Sequence, residues 1–503
     1  MKIFSDVSSL KAASLTAGQL TQTKRYFAGQ DGGGATYLIK TAVDYAGTPD
    51  EYVDHSLANG SVAVLQIDGS LNVRQAGATG DGVTDDTAAL QAGIDYAASN
   101  NLKVTGQGTF YTSSKVVIKC AFDGSSMTYE AHGSPAIALE VSTGSATNPT
   151  DILTLTKEDK IILPSLKNID KPVTGWVGQG VGVRYVNVQN MKITERLIQD
   201  FDVGVLHASY SNGCGYSTVQ GGYLRNNQIN RQFSVGDASG FTNRWDIFGG
   251  RYFHSSAEGT ETSGVYHVKV DDGATNIIND INFFGASLEG VAEEYHVICG
   301  GSHVAFFGCR WESSSPGGIK VRYTNTSSGE GSSNLIIGGR GARNINVTRT
   351  GSAANNTILS DYGHNYSSPT ATYSKNSSSS ADAVNVVLEA GVNEDTADLT
   401  TDYSVFTSAQ TLLGKRTADT NERVRVEFNN GKVLLGNASA APTSGIQALG
   451  SSGIGLVGNT YIQDGITAPG TITGWAALYV DSADGDLKIK FGDGTVKTIA
   501  TDT

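Results

Sequence analysis

Hydrophobic positions between Thr242 and Arg343 return in one repeating pattern. WDIFGGRYF (245–253), INFFGASLE (281–289) and VAFFGCRWE (304–312) are full copies. NLIIGGRG (334–341) is a degenerate copy, and STVQGGYLR (217–225) is a weaker one in phase with the rest. Each has two apolar residues one position apart, a small residue, and a large apolar residue three beyond it. Trp245/Ile247/Tyr252, Ile281/Phe283/Leu288 and Val304/Phe306/Trp311 fill those places. Alternation with a period of two, interrupted at Gly249, Gly285 and Gly308, predicts a strand, a sharp corner and a second strand. Counted from Ile247 to Phe283, Phe306 and Ile336, the copies lie 36, 23 and 30 residues apart. That spacing suits stacked coils of a parallel β-solenoid with loops of unequal length. GVLH (204–207), GVYH (264–267), EYHV (294–297) and GIKV (318–321) predict a third strand per coil. They would set His207, His267, His296 and Lys320 in line on an outward, polar row. The solenoid reading covers residues 180–345.

Ahead of the repeats, FSDVSSLKAASLTAGQL (4–20) predicts a short capped helix with Val7, Leu10 and Leu15 apolar, ending near Gly18. KRYFAGQDGGGATYLIK (24–40) predicts a strand, a glycine-rich turn from Asp31 to Gly34 and a second strand. No GK[ST] follows the glycines, so they read as a turn and not as a phosphate loop. Over 73–119, Thr84 or Asp85 caps a helix whose buried stripe is Ala88, Leu90, Ile94 and Ala97 or Ala98. Asp85 and Asp86 sit in its first turn, where the helix dipole favours carboxylates. With Asp81 they invite a metal or acid/base reading, but capping and turn formation account for them. Val104 to Tyr111 and Val116 to Ile118 would be the first solenoid strands, and the helix would cover the open end of the stack, which otherwise exposes strand edges. From 121 to 180 strands are visible but cannot be phased; afterwards Val186/Val188 and Ile193/Leu197 are inward candidates. The Ser/Thr-rich stretch 367–383 reads as a linker. Beyond it, alternating segments between NG and DG turns predict antiparallel hairpins, the last as Ala477–Val480, Leu487–Phe491, a turn at 492–494 and Val496–Ala500.

Composition narrows the chemistry. Gly (62 residues), Ser, Thr and Asn are abundant and favour turn-rich β structure. A formal net charge of −13 argues against nucleic acid as a partner. Cys120, Cys214, Cys299 and Cys309 show no zinc spacing and sit as buried thiols would, so neither a metal site nor a disulfide framework is expected. No cofactor motif is present. Met1 is followed by no signal-type apolar region, and no run of 18 apolar residues occurs, which points to synthesis in a cytoplasm and no membrane insertion.

AGATGDGVTDDTAALQAGIDYAA (76–98), followed by VTGQGTFYTSS (104–114), resembles the opening of the pectate-lyase-like right-handed parallel β-helix superfamily. The upstream SLKAASLTAGQLTQTKRYFAGQDGGGATYLI (9–39) is similar to the segment that precedes it in bacteriophage tailspikes. One departure is Gln107, where the family usually has proline. The resemblance is close over about 1–120 and becomes a pattern match over 180–345. It implies an all-β chain, a right-handed parallel β-helix with an N-terminal cap and a C-terminal antiparallel β module. It further implies a homotrimer in the virion tail, made in the host cytoplasm, that binds and often cleaves bacterial surface polysaccharide (capsule or O-antigen). Its N-terminus would meet a tail or baseplate protein. The expected division is 1–70 as cap and particle-proximal segment, 71–365 as β-helix, 366–440 as linker and β-rich region, and 441–503 as a β-hairpin module for trimerisation or receptor contact. The motif itself is structural and carries over no catalytic residue.

Phasing the coils sorts side chains into inward and outward rows. Phe248, Phe284 and Phe307 fall outward on the first strand and would stack into an external aromatic ladder at about 4.8 Å per coil. Such a patch calls for a partner: another subunit, sugar rings, or the chain's own loops. Beyond the bend, Arg251, Ser287, Arg310 and Arg340 share one outward row, and Phe253, Glu289 and Glu312 the next. Glu289 and Glu312 would then stand on successive coils. Carboxylates about 5 Å apart suit a retaining glycosidase, and their repulsion would raise one pKa to make an acid and a base. Arg310 would hold the partner ionised or bind a substrate carboxylate. The plain alternative is a solvated ladder in which arginines neutralise glutamates. Asp246 is the next catalytic candidate, followed by Asp200, Asp202, Glu293 and Glu294; the histidine row would offer a general base. Arg251, Arg310, Phe284 and Phe307 are the substrate-binding candidates. Three functions follow: a polysaccharide hydrolase, a non-enzymatic adhesin or tail fibre on the same scaffold, and a polysaccharide lyase, for which no calcium loop or tight Asp cluster is evident.

Overall fold

A computed structural model describes residues 1–340, apart from Asp31 and segments 145–149, 156–159, 172–179, 237–239, 256–264, 272–277, 291–295, 314–318 and 326–333. Beyond these it describes the strands Ile345–Gly351, Thr357–Leu359, Tyr373–Lys375, Asn385–Val387, Glu422–Glu427 and Lys432–Asn437, and residues 467–502 apart from 472 and 475.

The chain winds into a parallel β-helix. One face is a ten-stranded all-parallel sheet running from Val116–Ile118 through Ile137–Val141, Val181–Val186, Val203–Ala208, Ile229–Phe233, Tyr266–Val270, Val297–Cys299, Ile319–Asn325 and Ile345–Gly351 to Tyr373–Lys375. The other two faces meet at a bend. Gly213–Arg225 and Phe241–His254 run across that bend as single strands, whereas later coils split into Ile278–Phe284 with Ser287–Gly290 and Ser302–Phe307 with Arg310–Ser313.

The repeat register is the one the hydrophobic pattern predicts. Val219 pairs with Ile247, Ile247 with Phe283, Phe283 with Phe306 and Phe306 with Ile336. Past the bend, Leu224, Tyr252, Leu288 and Trp311 follow one another. All of these are buried, and the Phe283 and Phe306 rings stack at 4.7 Å and 5°. Each such side chain contributes about 1.5–3 kcal/mol by leaving water. Gly285 and Gly308 take φ of +64° and +59° with open space where a Cβ would be, so the corner is a left-handed residue. That corner advances the alternation by one: Ala286 and Cys309 turn inward, and Ser287 and Arg310 outward.

The stretch 121–180, which could not be phased from sequence, supplies ordinary coils: Phe122–Ala131 pairs with Lys103–Thr112 below and with Ile161–Ile162 and Ser165–Asn168 above. Two inward assignments shift by one residue. Ile198 is buried where Leu197 was expected, and Ala89 where Ala88 was. The N-terminal helix is short, Val7–Lys11 capped by Asp6, with Leu15 buried outside it.

The third-strand row also changes. Ile229–Phe233 is an intervening coil that the apolar pattern hides, because Asn230 and Arg231 occupy its middle. His267, His296 and Lys320 are in line, but His207 pairs with Phe233 in a different row. His207, His267 and His296 are moreover buried, not outward.

Helix Thr87–Ser99 packs on Lys103–Thr112 and Val116–Ile118 at the start of the stack, burying Ala89, Leu90, Gly93, Ile94 and Ala97. Asp86 precedes it; its carboxylate accepts from the Thr79 and Gly80 amides (2.6 and 3.0 Å) and the Thr79 hydroxyl, tying the incoming loop. Asp81 and Asp85 likewise accept from neighbouring turn groups. Ahead of this lies a five-stranded sheet in the order Lys2–Phe4, Leu20–Thr23, Thr36–Lys40, Val62–Gln66, His55–Ser56.

Residues Gly436–Thr503 form a separate compact unit. Its three antiparallel strands, Ala476–Val480, Leu487–Phe491 and Val496–Ala500, match the hairpins read from the sequence. Apart from Tyr373–Lys375, the linker 367–383 lies outside the described residues. No helix among the described residues is long and apolar enough to cross a membrane.

Candidate functional site

The outward rows of the coils carry the candidates. Phe248, Phe284 and Phe307 form the external ladder: Phe248 stacks on Phe284 at 4.9 Å and 12°, and Phe284 on Phe307 at 5.0 Å and 9°. Phe248 is 43% exposed and the other two are half-buried. The stacking uses up the ring faces inside the ladder, leaving edges to solvent. Gln220 and Ile337 continue the row on either side. A pyranose needs a ring face, so the ladder suits an apolar contact better than a sugar platform.

Past the bend, the charged residues interlock. Phe253, Glu289 and Glu312 pair in succession, as do Arg251, Ser287 and Arg310 one row over. Glu289 is 7% exposed and both its oxygens are engaged. One accepts from Arg251 Nε and Nη2 at 3.0 and 2.7 Å; the other accepts from Arg310 Nη1 at 3.1 Å and from the Ser287 hydroxyl. Arg310 Nη2 donates to Glu312, which is exposed. The Arg251 guanidinium also lies over the Tyr223 and Phe253 rings, at 5.1 and 4.8 Å from their centroids.

These contacts settle the charge state of Glu289. Burial pushes its pKa up, but the Ser287 and Arg251 hydrogen bonds and the Arg251 and Arg310 charges outweigh burial and hold the carboxyl below its usual range. The raised pKa expected for one member of the glutamate pair is therefore not found on Glu289. The two glutamates do stand on successive coils, and the arginines neutralise them.

Other candidates separate from this cluster. Asp246 lies in the outward row beside the ladder and accepts from Asn282 Nδ2 at 2.9 Å. Asp200 accepts from Gln199, and Asp202 from the Gly180 amide at 3.0 Å, both at the approach to strand Val203–Ala208. Glu293 and Glu294 lie outside the described residues. His207, His254, His267 and His296 are buried and so walled off from any substrate. Burial pushes the pKa of His207 and His267 well below 6.5, and that of His296 and His254 to about 4.

The sequence reading missed two buried ion pairs. Arg231, on an inward row otherwise filled by valines such as Val205 and Val268, is fully buried. It donates to Glu195, to Tyr252 Oη (3.0 Å) and to His207 Nε2 (2.7 Å), while Tyr185 Oη donates to Glu195 at 3.0 Å. Glu140 is closed off in the same way by Arg184 (Nε at 3.0 Å), Lys115 (3.2 Å) and Ser142. A lone Arg inside an otherwise alternating segment was the available signal for the first. Neither pair is accessible, so both belong to the scaffold.

No protein-family model and no curated protein sequence matches the chain. Solved structures of low identity do. A protein described as ORF18 of Geobacillus virus E2 aligns over 100% of this chain and 99% of its own, at 15% identity and TM-score 0.48. The tailspike protein gp49 of Acinetobacter baumannii bacteriophage Fri1, described as a capsular polysaccharide depolymerase, aligns over 78% of this chain and 75% of its own, at 14% identity and TM-score 0.40. For the enzymatically active domain of bacteriophage CBA120 tailspike protein 2 the values are 71%, 52%, 12% and 0.38, so this chain spans about half of that protein.

Proposed function

We propose that this chain is a phage tailspike that binds bacterial surface polysaccharide, capsule or O-antigen, along the outside of its coils. The observation that carries the reading is the Arg251–Glu289–Arg310–Glu312 cluster, which runs across three successive coils with Arg251 set over the Tyr223 and Phe253 rings. A polar row that runs along the coil axis suits an extended polymer. The resemblance of residues 76–98 and 104–114 to the tailspike β-helix opening supports the same reading. In it, the protein is a homotrimer in the virion tail, made in the host cytoplasm. Residues 1–70 face a tail or baseplate protein, and Phe248, Phe284 and Phe307 lie between subunits.

Hydrolysis is the second reading, and what favours it is the placement of Glu289 and Glu312 on successive coils, at the roughly 5 Å strand spacing of a retaining pair. Against it stands Glu289 itself, buried with both oxygens bonded, which leaves neither a proton to give nor a lone pair to attack with. Binding without cleavage at this row is therefore the conclusion, with Asp246 and Glu312 the remaining catalytic candidates. Purified protein should be tested for binding to capsule and O-antigen extracts from a bacterial strain panel, with reducing ends and unsaturated uronate assayed in parallel. Absence of binding across the panel overturns the proposal. Release of reducing ends that disappears in Glu312→Gln replaces it with the hydrolase reading.

A further inference from the structure

Among the described residues of this face, arginines outnumber glutamates. Arg225, Arg251, Arg310 and Arg340 lie in its two outward rows against Glu289 and Glu312, on a chain whose net charge is −13. A local positive excess on an acidic protein is not a by-product of composition.

The donors are also incompletely used. A guanidinium has five N–H groups. Arg251 spends two on Glu289, leaving Nη1 outside that contact, and its side chain is 47% exposed. Arg310 uses one hydrogen on each of Nη1 and Nη2 for Glu289 and Glu312 and is 41% exposed; its buried Nε has no partner among the described residues. Glu289 has no capacity left, so its part is to hold two guanidinium groups at fixed positions. The Tyr223 and Phe253 rings restrict Arg251 further. Two guanidinium groups held in advance and still partly exposed suit recognition of carboxylates.

Arg251 and Arg310 are two coils apart, with Ser287 between them in the same row. Their backbones are therefore about 9.6 Å apart, but both side chains converge on the one Glu289 carboxylate, so the two guanidinium groups form a single cationic patch. Resting on the proposed polysaccharide-binding function, we propose that this face recognises an acidic polysaccharide through its sugar carboxylates. Arg251 and Arg310 donate to carboxylate oxygens of the polymer. Glu289 is the positioning residue for both arginines.

The test uses the polysaccharide that the protein binds in the strain panel, in native form and after carbodiimide reduction of its uronate carboxyls to alcohols. The full-length chain is immobilised and binding is read by biolayer interferometry at low and high NaCl. Reduction of the carboxyls is expected to weaken binding about tenfold or more, and so is Arg251→Gln or Arg310→Gln, with native-polymer affinity falling as salt rises. Glu289→Gln should lower affinity and flatten the salt dependence less than either arginine change. Reduced polymer bound as tightly as native, or a bound polysaccharide without acidic sugars, overturns this inference and leaves the polysaccharide-binding function standing. Failure to bind any polysaccharide overturns both. The reduced-polymer comparison needs no variant, so a misfolded substitution does not block the decision.

Discussion

Removing the charge of Glu195 while keeping its shape isolates the energetics of the coil interior. Arg231 is fully buried and Glu195 nearly so. The guanidinium's other contacts are neutral: Tyr252 Oη at 3.0 Å and His207 Nε2 at 2.7 Å. In Glu195→Gln it keeps hydrogen-bond acceptors but loses its counter-charge, and breaking a buried pair from one side costs about 3–5 kcal/mol. Arg231→Met strands the Glu195 carboxylate with only Tyr185 as donor and should cost a similar amount. The double variant Glu195→Leu/Arg231→Met strands neither charge and restores the apolar row that Val205 and Val268 already form. It should unfold within about 1 kcal/mol of the parent, or later by about 1–4 kcal/mol. Urea unfolding followed by tryptophan fluorescence is the assay, because the Trp245 ring lies 4.2 Å from His207 and reports on this cluster. If Glu195→Gln costs under about 1 kcal/mol, or if the two single losses simply add in the double variant, the pair is not a desolvated one and the reasoning fails.

Acid should loosen the helix through its buried histidines. His207, His254, His267 and His296 all have folded pKa values below 6.5, caused first by burial. The unfolded chain then binds more protons below pH 6.5, so stability is complete above that pH. For His254 and His296 it falls by about 1.4 kcal/mol per pH unit each between 6.5 and about 4, and His207 and His267 act in the same direction; a His296→Gln variant whose urea midpoint declines as steeply as the parent's over that window would exclude His296. Gly215→Ala should destabilise by about 1–3 kcal/mol or more, since its Cβ would stand 1.7 Å from the Asn243 carbonyl oxygen of the next coil. Gly285→Ala meets nothing within 4 Å and should cost only the left-handed strain, about 1–2 kcal/mol, so equal losses at the two sites would refute the distinction. Replacing Phe248, Phe284 and Phe307 together by Ser should shift the sedimentation coefficient to that of a monomer with an unchanged circular dichroism spectrum; an unaltered oligomer would remove the ladder from the subunit contact.

The stack from Ser217 to Ile337 was legible because its signal is local. A strand's period of two and a glycine corner are properties of nine consecutive residues, and equal places in successive copies must become neighbours once the copies pair. That reasoning put Phe283 over Phe306, Phe248 beside Phe284, and Glu289 beside Glu312. It failed at Ile229–Phe233, where Arg231 stands at the place that Val205 and Val268 hold in the neighbouring coils, so the coil did not resemble its neighbours and His207 was carried into the wrong row. The one-residue shifts to Ala89 and Ile198 come from bends and caps, whose position the apolar pattern only brackets.

The amino-acid order alone thus determined the architecture and, on the two strands flanking the glycine corner from Ser217 to Ile337, the coil register and which side chains face outward, since each follows from spacing along the strand. It did not determine the partners of the charged ones. Whether Glu289 is an acid, a nucleophile or an anchor depends on Arg251, 38 residues before it, and Arg310, 21 after it. Whether Arg231 is tolerated inside depends on Glu195, 36 residues away. Electrostatic environment is a sum over neighbours brought together by winding, and only the closed coils specify those neighbours.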